Sequence, residues 1–157
     1  MLKWLWLSGV VVLLDQMSKI WVDLSLALHQ SIPVIPSFSI TYAHNYGAAF
    51  SFLSDAGGWQ RWFFAVLAIA VSVGIIIYLN KLKSEEKLLA VSLSLILGGA
   101  IGNIIDRVLY GYVIDFLDVY YNVYHWPIFN IADSAITVGV GLMLIESFME
   151  KEESEEK

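Results

Sequence analysis

Residues 88–107 read LLAVSLSLILGGAIGNIIDR, and the first eighteen of them carry no charge. A helix crossing a hydrocarbon core of ~30 Å needs about 20 such residues. The stretch also changes character along its length. Serines and leucines give way to Gly98, Gly99 and Gly102, and then to Asn103, Asp106 and Arg107. It reads as a transmembrane helix whose polar residues all gather at one end.

Three more apolar runs lie at 4–22, 62–79 and 128–145, each 18 or 19 residues long. The whole chain of 157 residues is 58% hydrophobic and 15% charged. Soluble domains are roughly 45–50% apolar and 25% charged. The expected fold class is therefore an α-helical polytopic membrane protein of one domain, with four transmembrane helices. The formal net charge of −6 does not mark an acidic soluble protein, because six of the fifteen acids lie between Glu146 and Glu156. Residues 150–157 read as a solvated, frayed tail. No basic stripe offers itself to nucleic acid. The absence of cysteine removes a thiol nucleophile, a thiolate metal site and any disulfide. Residues 1–27 imitate a secretory signal, but Asp15 to Lys19 interrupt the apolar stretch and apolar character then resumes. The segment reads as a retained helix.

Flanking cations set the orientation. Lys3, Lys81, Lys83, Lys87, Lys151 and Lys157 fall on one side, against Arg61 and Arg107 on the other. Both termini are expected in the cytoplasm. Trp21, Trp59, Trp62 and Trp126 then mark the outer interface, and Trp4 and Trp6 the inner one. At 1.5 Å per residue, Asp15 stands about 18 Å above Lys3, in the outer half of the membrane. Lys19 stacks one turn above it, since i and i+4 share a helix face. Asn103, Asp106 and Arg107 reach the same level on the third helix, and Asn130 and Asp133 reach it at the start of the fourth. The second run has no charge from 62 to 79 and reads as a packing element. Ionisable groups in hydrocarbon cost ~2.5–3.5 kcal/mol each on insertion scales, so a layer of them marks a functional site.

The long connections, 23–61 and 107–127, are outer loops. Pro33 and Pro36 bracket an extended start, 38–42 alternates like a half-buried strand, and 111–116 follows a glycine turn as a second strand. A small extracytoplasmic sheet on the membrane surface is expected, with a hinge at 51–58 around Gly57 and Gly58.

Asp115, in an apolar strand, and Asp133, at the head of an apolar helix, are the leading pair. Two carboxylates meeting at the membrane edge do not both ionise easily, and a pair sharing one proton can activate water and protonate a leaving amine. Two plainer roles compete: Asp133 as a helix cap, and Asp115 as the partner of Arg107. Asp15 and Lys19 equally make an i, i+4 ion pair that eases insertion, and Asp106 and Arg107 a membrane boundary. The glycines at 98, 99 and 102 permit close helix approach. Asn45 to Phe50 form a polar turn followed by small residues, where backbone can approach a substrate. His44 and His125 read as interfacial, and no HExxH spacing is present. Ser18 and Lys19 are adjacent on a helix and point about 100° apart, which argues against a Ser/Lys pair. A small ion translocator and a non-catalytic binder of lipidated partners remain as rivals. The first would favour sites near the midplane, and the second has no need of two aspartates.

Five blocks in order closely resemble the bacterial lipoprotein signal peptidase family, also called signal peptidase II. They are Asp15-Gln16 with Lys19; Asn45-Tyr46-Gly47-Ala48-Ala49-Phe50-Ser51; Gly98 to Asn103 leading into Asp106-Arg107; Val113-Ile114-Asp115-Phe116; and Phe129-Asn130-Ile131-Ala132-Asp133-Ser134. The resemblance implies an aspartic peptidase of the bacterial inner membrane, with a periplasmic β-cradle and an amphipathic helix resting on the bilayer. Its partners would be diacylglyceryl-modified prolipoproteins and membrane lipids, cut just before the lipidated cysteine, with no cofactor, no metal and no obligate protein partner. By motif position Asp115 and Asp133 look like the catalytic dyad. Asp15, Lys19, Asn45, Gly47, Asn103, Asp106, Arg107, Asn130 and Ala132 look like residues that bind substrate or support the site.

Overall fold

The computed structural model describes residues 1–47 and 58–155. A single 3₁₀ turn, Leu2–Trp4, leads into α1 (Leu5–Ser25), and the strands β1 (Ser31–Ile35) and β2 (Phe38–Asn45) follow. Then come α2 (Gln60–Lys81), α3 (Lys87–Leu109), β3 (Val113–Tyr121), β4 (Tyr124–His125) and α4 (Ile131–Glu155). All four helices are long and apolar enough to cross a membrane. Four crossings bring both termini to one end of the bundle and the strands to the other.

The burial pattern is that of a lipid-solvated molecule. Large apolar side chains such as Trp62, Phe63, Val66, Leu67 and Ile77 of α2 are exposed, while Asp15, Lys19, Ser92, Ser94, Asn103 and Asp106 are buried. In hydrocarbon, polar groups must find partners inside the protein, so the interior holds them and the surface stays apolar. At the termini end, Ile75, Leu79 and Leu82 of the second span pack with Ala90, Leu93 and Leu97 of α3. There Ser8 Oγ donates to Ser94 O at 2.7 Å, joining α1 to α3.

Helix spacing is set by glycine. A methyl group at Gly102 would stand 2.5 Å from Asp15 Oδ2, and one at Gly99 would collide with the carbonyl oxygen of Ala132. The expectation of close approach at these positions is met, and α1 and α4 both pack directly against α3.

The helices differ from the apolar runs at their ends. Most extend into polar flanks, because backbone hydrogen bonding does not stop where hydropathy falls. The fourth starts at Ile131 rather than 128, since Phe129 is still paired with β3: its N–H donates to Leu117 O at 3.2 Å and its carbonyl accepts from Leu117 N–H at 2.8 Å. At the other end α4 runs through Glu155 into the tail expected to fray, as strong helix formers such as Glu allow.

The sheet has four antiparallel strands in the order β1-β2-β3-β4, where two were anticipated. Both additional strands come from hairpins with a residue at positive φ in the turn, Ser37 (68°) and Asn122 (53°). Gly111 (φ 89°) makes the expected glycine turn into β3. Val22 and Leu26 of the first span and its exit pack under Tyr42, Ile114 and Phe116, seating the sheet on the end of α1. Apart from Gly58, the hinge expected at 51–58 lies outside the described residues, as do Ala48 to Ser51 of the block starting at Asn45. The amphipathic surface helix implied by the resemblance is not among the described residues.

Candidate active site

Lys19 is the hub of a buried polar layer at the sheet end of the bundle. Its Nζ lies 2.8 Å from Asp15 Oδ2 and 3.0 Å from Asp106 Oδ2, and it donates to Asn103 Oδ1 at 3.0 Å. Asp15, Lys19 and Asp106 are at most 1% exposed. The two carboxylates hold more than the lysine. Asp15 Oδ1 accepts the Ala132 N–H at 2.9 Å, which ties the start of α4 to α1. Asp106 accepts the Ile114 N–H at 3.0 Å on Oδ2 and the Gln16 amide at 2.9 Å on Oδ1. The i, i+4 pairing of Asp15 with Lys19 is thus present, and so is a positioning role.

A second pair of carboxylates stands beside this hub with amides for neighbours. Asp115 Oδ1 accepts from Asn130 Nδ2 at 2.7 Å, and its Oδ2 accepts from Asn45 Nδ2 at 2.9 Å. Asp133 Oδ1 accepts from Asn103 Nδ2 at 2.8 Å. The amides cannot turn around without loss. Asn103 Oδ1 already receives Lys19 Nζ and Asn130 Nδ2 (3.2 Å), so its NH₂ must face Asp133. Asn130 Oδ1 receives the Asp133 N–H at 2.9 Å, so its NH₂ must face Asp115. Each asparagine has one end fixed by donors, and this aims the other end at a carboxylate.

Both plainer roles for these acids fall away. The residue capping α4 is Asn130, which accepts the Asp133 N–H on its side chain and the Ser134 N–H (3.1 Å) on its carbonyl; the Asp133 carboxylate is left free of that task. Arg107 does not pair with Asp115 directly. Its Nη1 donates to Asn103 O at 3.3 Å and its Nη2 to Gly47 O at 2.8 Å. Arg107 and Gly47 therefore bind each other, and the Gly47 N–H in turn donates to Asn45 Oδ1 at 3.0 Å, orienting the amide that holds Asp115.

Asp115 is 2% exposed. Burial, and then the negative charge of Asp133, push its carboxyl up to about 7, against the opposing pull of the Asn45 and Asn130 hydrogen bonds. At neutral pH this acid is poised between its two forms. Asp133 lies on the wall of a pocket of about 630 Å³, together with Asn45, Asn103, Arg107 and Ser134. The remaining wall is mostly apolar: Trp126 to Phe129, with Ile136, Thr137 and Val138 of α4. A polar, proton-holding corner thus opens onto an apolar trough along a membrane helix. Such a pocket suits an extended chain with an apolar attachment, its reacting bond at the polar end.

Residues 7–149 match the family model described as Signal peptidase (SPase) II. The chain belongs to the signal peptidase II family. It is 53% identical over 156 residues to a lipoprotein signal peptidase of Alteromonas mediterranea, covering 99% of this chain and 86% of that protein. A lipoprotein signal peptidase of Pasteurella multocida is 49% identical, with 99% and 94% covered. A solved structure described as a bacterial membrane enzyme structure by the in meso method at 2.3 Å resolution superposes with a TM-score of 0.89 at 35% identity, covering 99% of this chain and 93% of that one. The shared sequence and the shared fold each cover 99% of this chain.

The eleven site residues named from the sequence all lie in or against this layer. Sequence reasoning missed Gln16 as a participant, although it stands between Asp15 and Lys19; besides Asp106 it reaches Gly102 O at 3.2 Å. It also missed Arg61, whose Nε and Nη2 cap the last turn of α3 by donating to Arg107 O (2.6 Å) and Val108 O (2.7 Å). The signal for Arg61 was a lone cation at the outer end of α2, followed by no charge from 62 to 80.

Proposed function

We propose that this signal peptidase II is an aspartic endopeptidase in which Asp115 and Asp133 form the catalytic dyad. It cuts diacylglyceryl-modified prolipoproteins on the N-terminal side of the lipidated cysteine. The observation that carries the reading is the pair itself: Asp133 on the pocket wall and the buried Asp115 behind it, each aimed at by an asparagine amide and, among the described residues, neither in an ion pair.

The chemistry follows from one proton shared by the pair. Asp133 takes a proton from a water molecule as the water oxygen bonds to the scissile carbonyl carbon. Asp115, protonated, gives its proton to the carbonyl oxygen, and a tetrahedral diol results. The proton on Asp133 then passes to the nitrogen of the cysteine residue as the C–N bond breaks, and Asp115 takes back a diol proton. The products are a signal-peptide carboxylic acid and a lipoprotein with a free α-amino group. Asn103, Asn130 and Asn45 hold the carboxylates in place throughout, which confines reorganisation to the substrate.

The apolar trough beside α4 supports a substrate whose signal helix and acyl chains remain in the membrane. The lysine count, six against two, supports termini in the cytoplasm and a site near the outer face of the bacterial inner membrane.

Cleavage of a diacylglyceryl-modified lipobox peptide by the purified protein in detergent tests the reading, with products identified by mass. Cutting before the modified cysteine should survive excess EDTA and vanish in both Asp115→Asn and Asp133→Asn. Turnover by either folded variant would sink the dyad.

A further inference from the structure

One buried carboxylate has no part in this mechanism. Asp118 is 4% exposed and lies three residues beyond Asp115 on β3, so strand alternation turns it to the opposite face. Its Oδ1 lies 2.7 Å from His125 Nδ1 on β4, and its Oδ2 accepts the Thr41 hydroxyl of β2 at 2.9 Å. Thr41 Oγ1 is itself 2.7 Å from Ser31 Oγ on β1. One polar chain crosses all four strands, with Asp118 as its only acid. The Tyr120 ring stacks on the His125 imidazole at 4.9 Å.

His125 is the last residue of β4, and residues 126–129, which follow it, are a wall of the pocket. Backbone hydrogen bonds hold that wall to β3 at its two ends. β4 is two residues long, and Pro127 has no N–H to give. The Trp126 N–H reaches Val119 O at 2.8 Å, and the next tie to β3 is at Phe129. The side-chain bond from His125 to the buried Asp118 sits where the wall departs from the sheet.

We propose that Asp118 and His125 form a positioning clasp that fixes this wall and thereby sets affinity for the apolar chain of the substrate lying against it. The inference rests on the reading of the pocket as the peptidase site. Because Asp118 faces away from the dyad, releasing the clasp displaces the wall and leaves Asp115, Asn130 and Asp133 bonded as before. The consequence is a change in KM with kcat retained.

Steady-state cleavage by the full-length protein tests this. His125→Ala should raise KM about tenfold, the size of one lost hydrogen bond, with kcat unchanged. His125→Asn, whose amide N–H stands where Nδ1 stood, should restore most of the affinity. Thr41→Val loosens the clasp from its other end without touching the wall, and should raise KM by a smaller factor. Two further substrates identify the chain: one with shortened acyl groups and one with a shortened apolar signal segment. The His125→Ala penalty should disappear for whichever substrate no longer reaches the wall. An unchanged KM in His125→Ala, a fall in kcat equal to the rise in KM, or a penalty that persists with both shortened substrates would overturn the clasp. These outcomes are separable from failure of the dyad, which shows as turnover by Asp115→Asn.

Discussion

Two pairs of aspartates lie side by side in this molecule and are used in opposite ways. Asp15 and Asp106 share Lys19, and the two carboxylates also accept backbone N–H groups of α4 and β3. Asp115 and Asp133 are each held by asparagine amides. In the first pair a shared cation offsets part of the charge, and what is left is a bracket joining three helices and a strand. In the second pair the neutral donors fix direction without absorbing charge, so a proton remains available to move. The residue type is the same; under the proposed dyad, the partner decides whether a carboxylate holds structure or does chemistry.

The comparison breaks most sharply at the dyad. Asp115→Asn or Asp133→Asn should lower kcat at least about a thousandfold, within the range for loss of a general acid or base, while thermal unfolding in detergent stays cooperative. Lys19→Met should do the reverse. It leaves two buried carboxylates facing each other and should cost about 3–5 kcal/mol in stability, read from the unfolding midpoint. Adding Asp106→Asn to Lys19→Met should recover part of that loss, and no recovery would mean that the lysine serves something other than these charges. Asn103 belongs to both pairs, so Asn103→Ala should fall between them. Losing its bond to Asp133 predicts a kcat drop of about ten- to a hundredfold, the equivalent of about 1.5–3 kcal/mol. The mildest test is pH. With Asp115 held up to about 7 by burial and by Asp133, the pair loses its shared proton as pH rises through that value. kcat/KM should fall about tenfold per unit on the alkaline side, a property of the coupled pair. A flat profile to pH 9 would argue against a shared proton.

The gathering of the polar residues at one level of the helix bundle was legible in the sequence, because charge in an apolar run is costly wherever it occurs and helical rise converts position into height. The pairing of Asp15 with Lys19 was readable for the same reason, being local to one helix. What could not be read was the division of labour among residues from different elements. Asn130 looks like any polar residue before a helix, and only its three-dimensional neighbours reveal that capping α4 also aims its amide at Asp115. The partner of Arg107 was equally hidden: a backbone carbonyl, at Gly47, leaves no trace in composition. The outer strands were missed because β1 is exposed along its whole length and β4 spans two residues, too little for alternation to register.

The lysine bracket also bears on how the molecule is made. Ribosomes deliver α1 long before α3, and Asp15 and Lys19 enter the bilayer already matched, one helical turn apart. The hairpin of α2 and α3 later brings Asp106 to a lysine that is in place, and the Ala132 N–H closes Asp15 last. Each newly inserted helix meets a waiting counterpart, so the order of synthesis is also an order in which no buried charge has to stand alone for long.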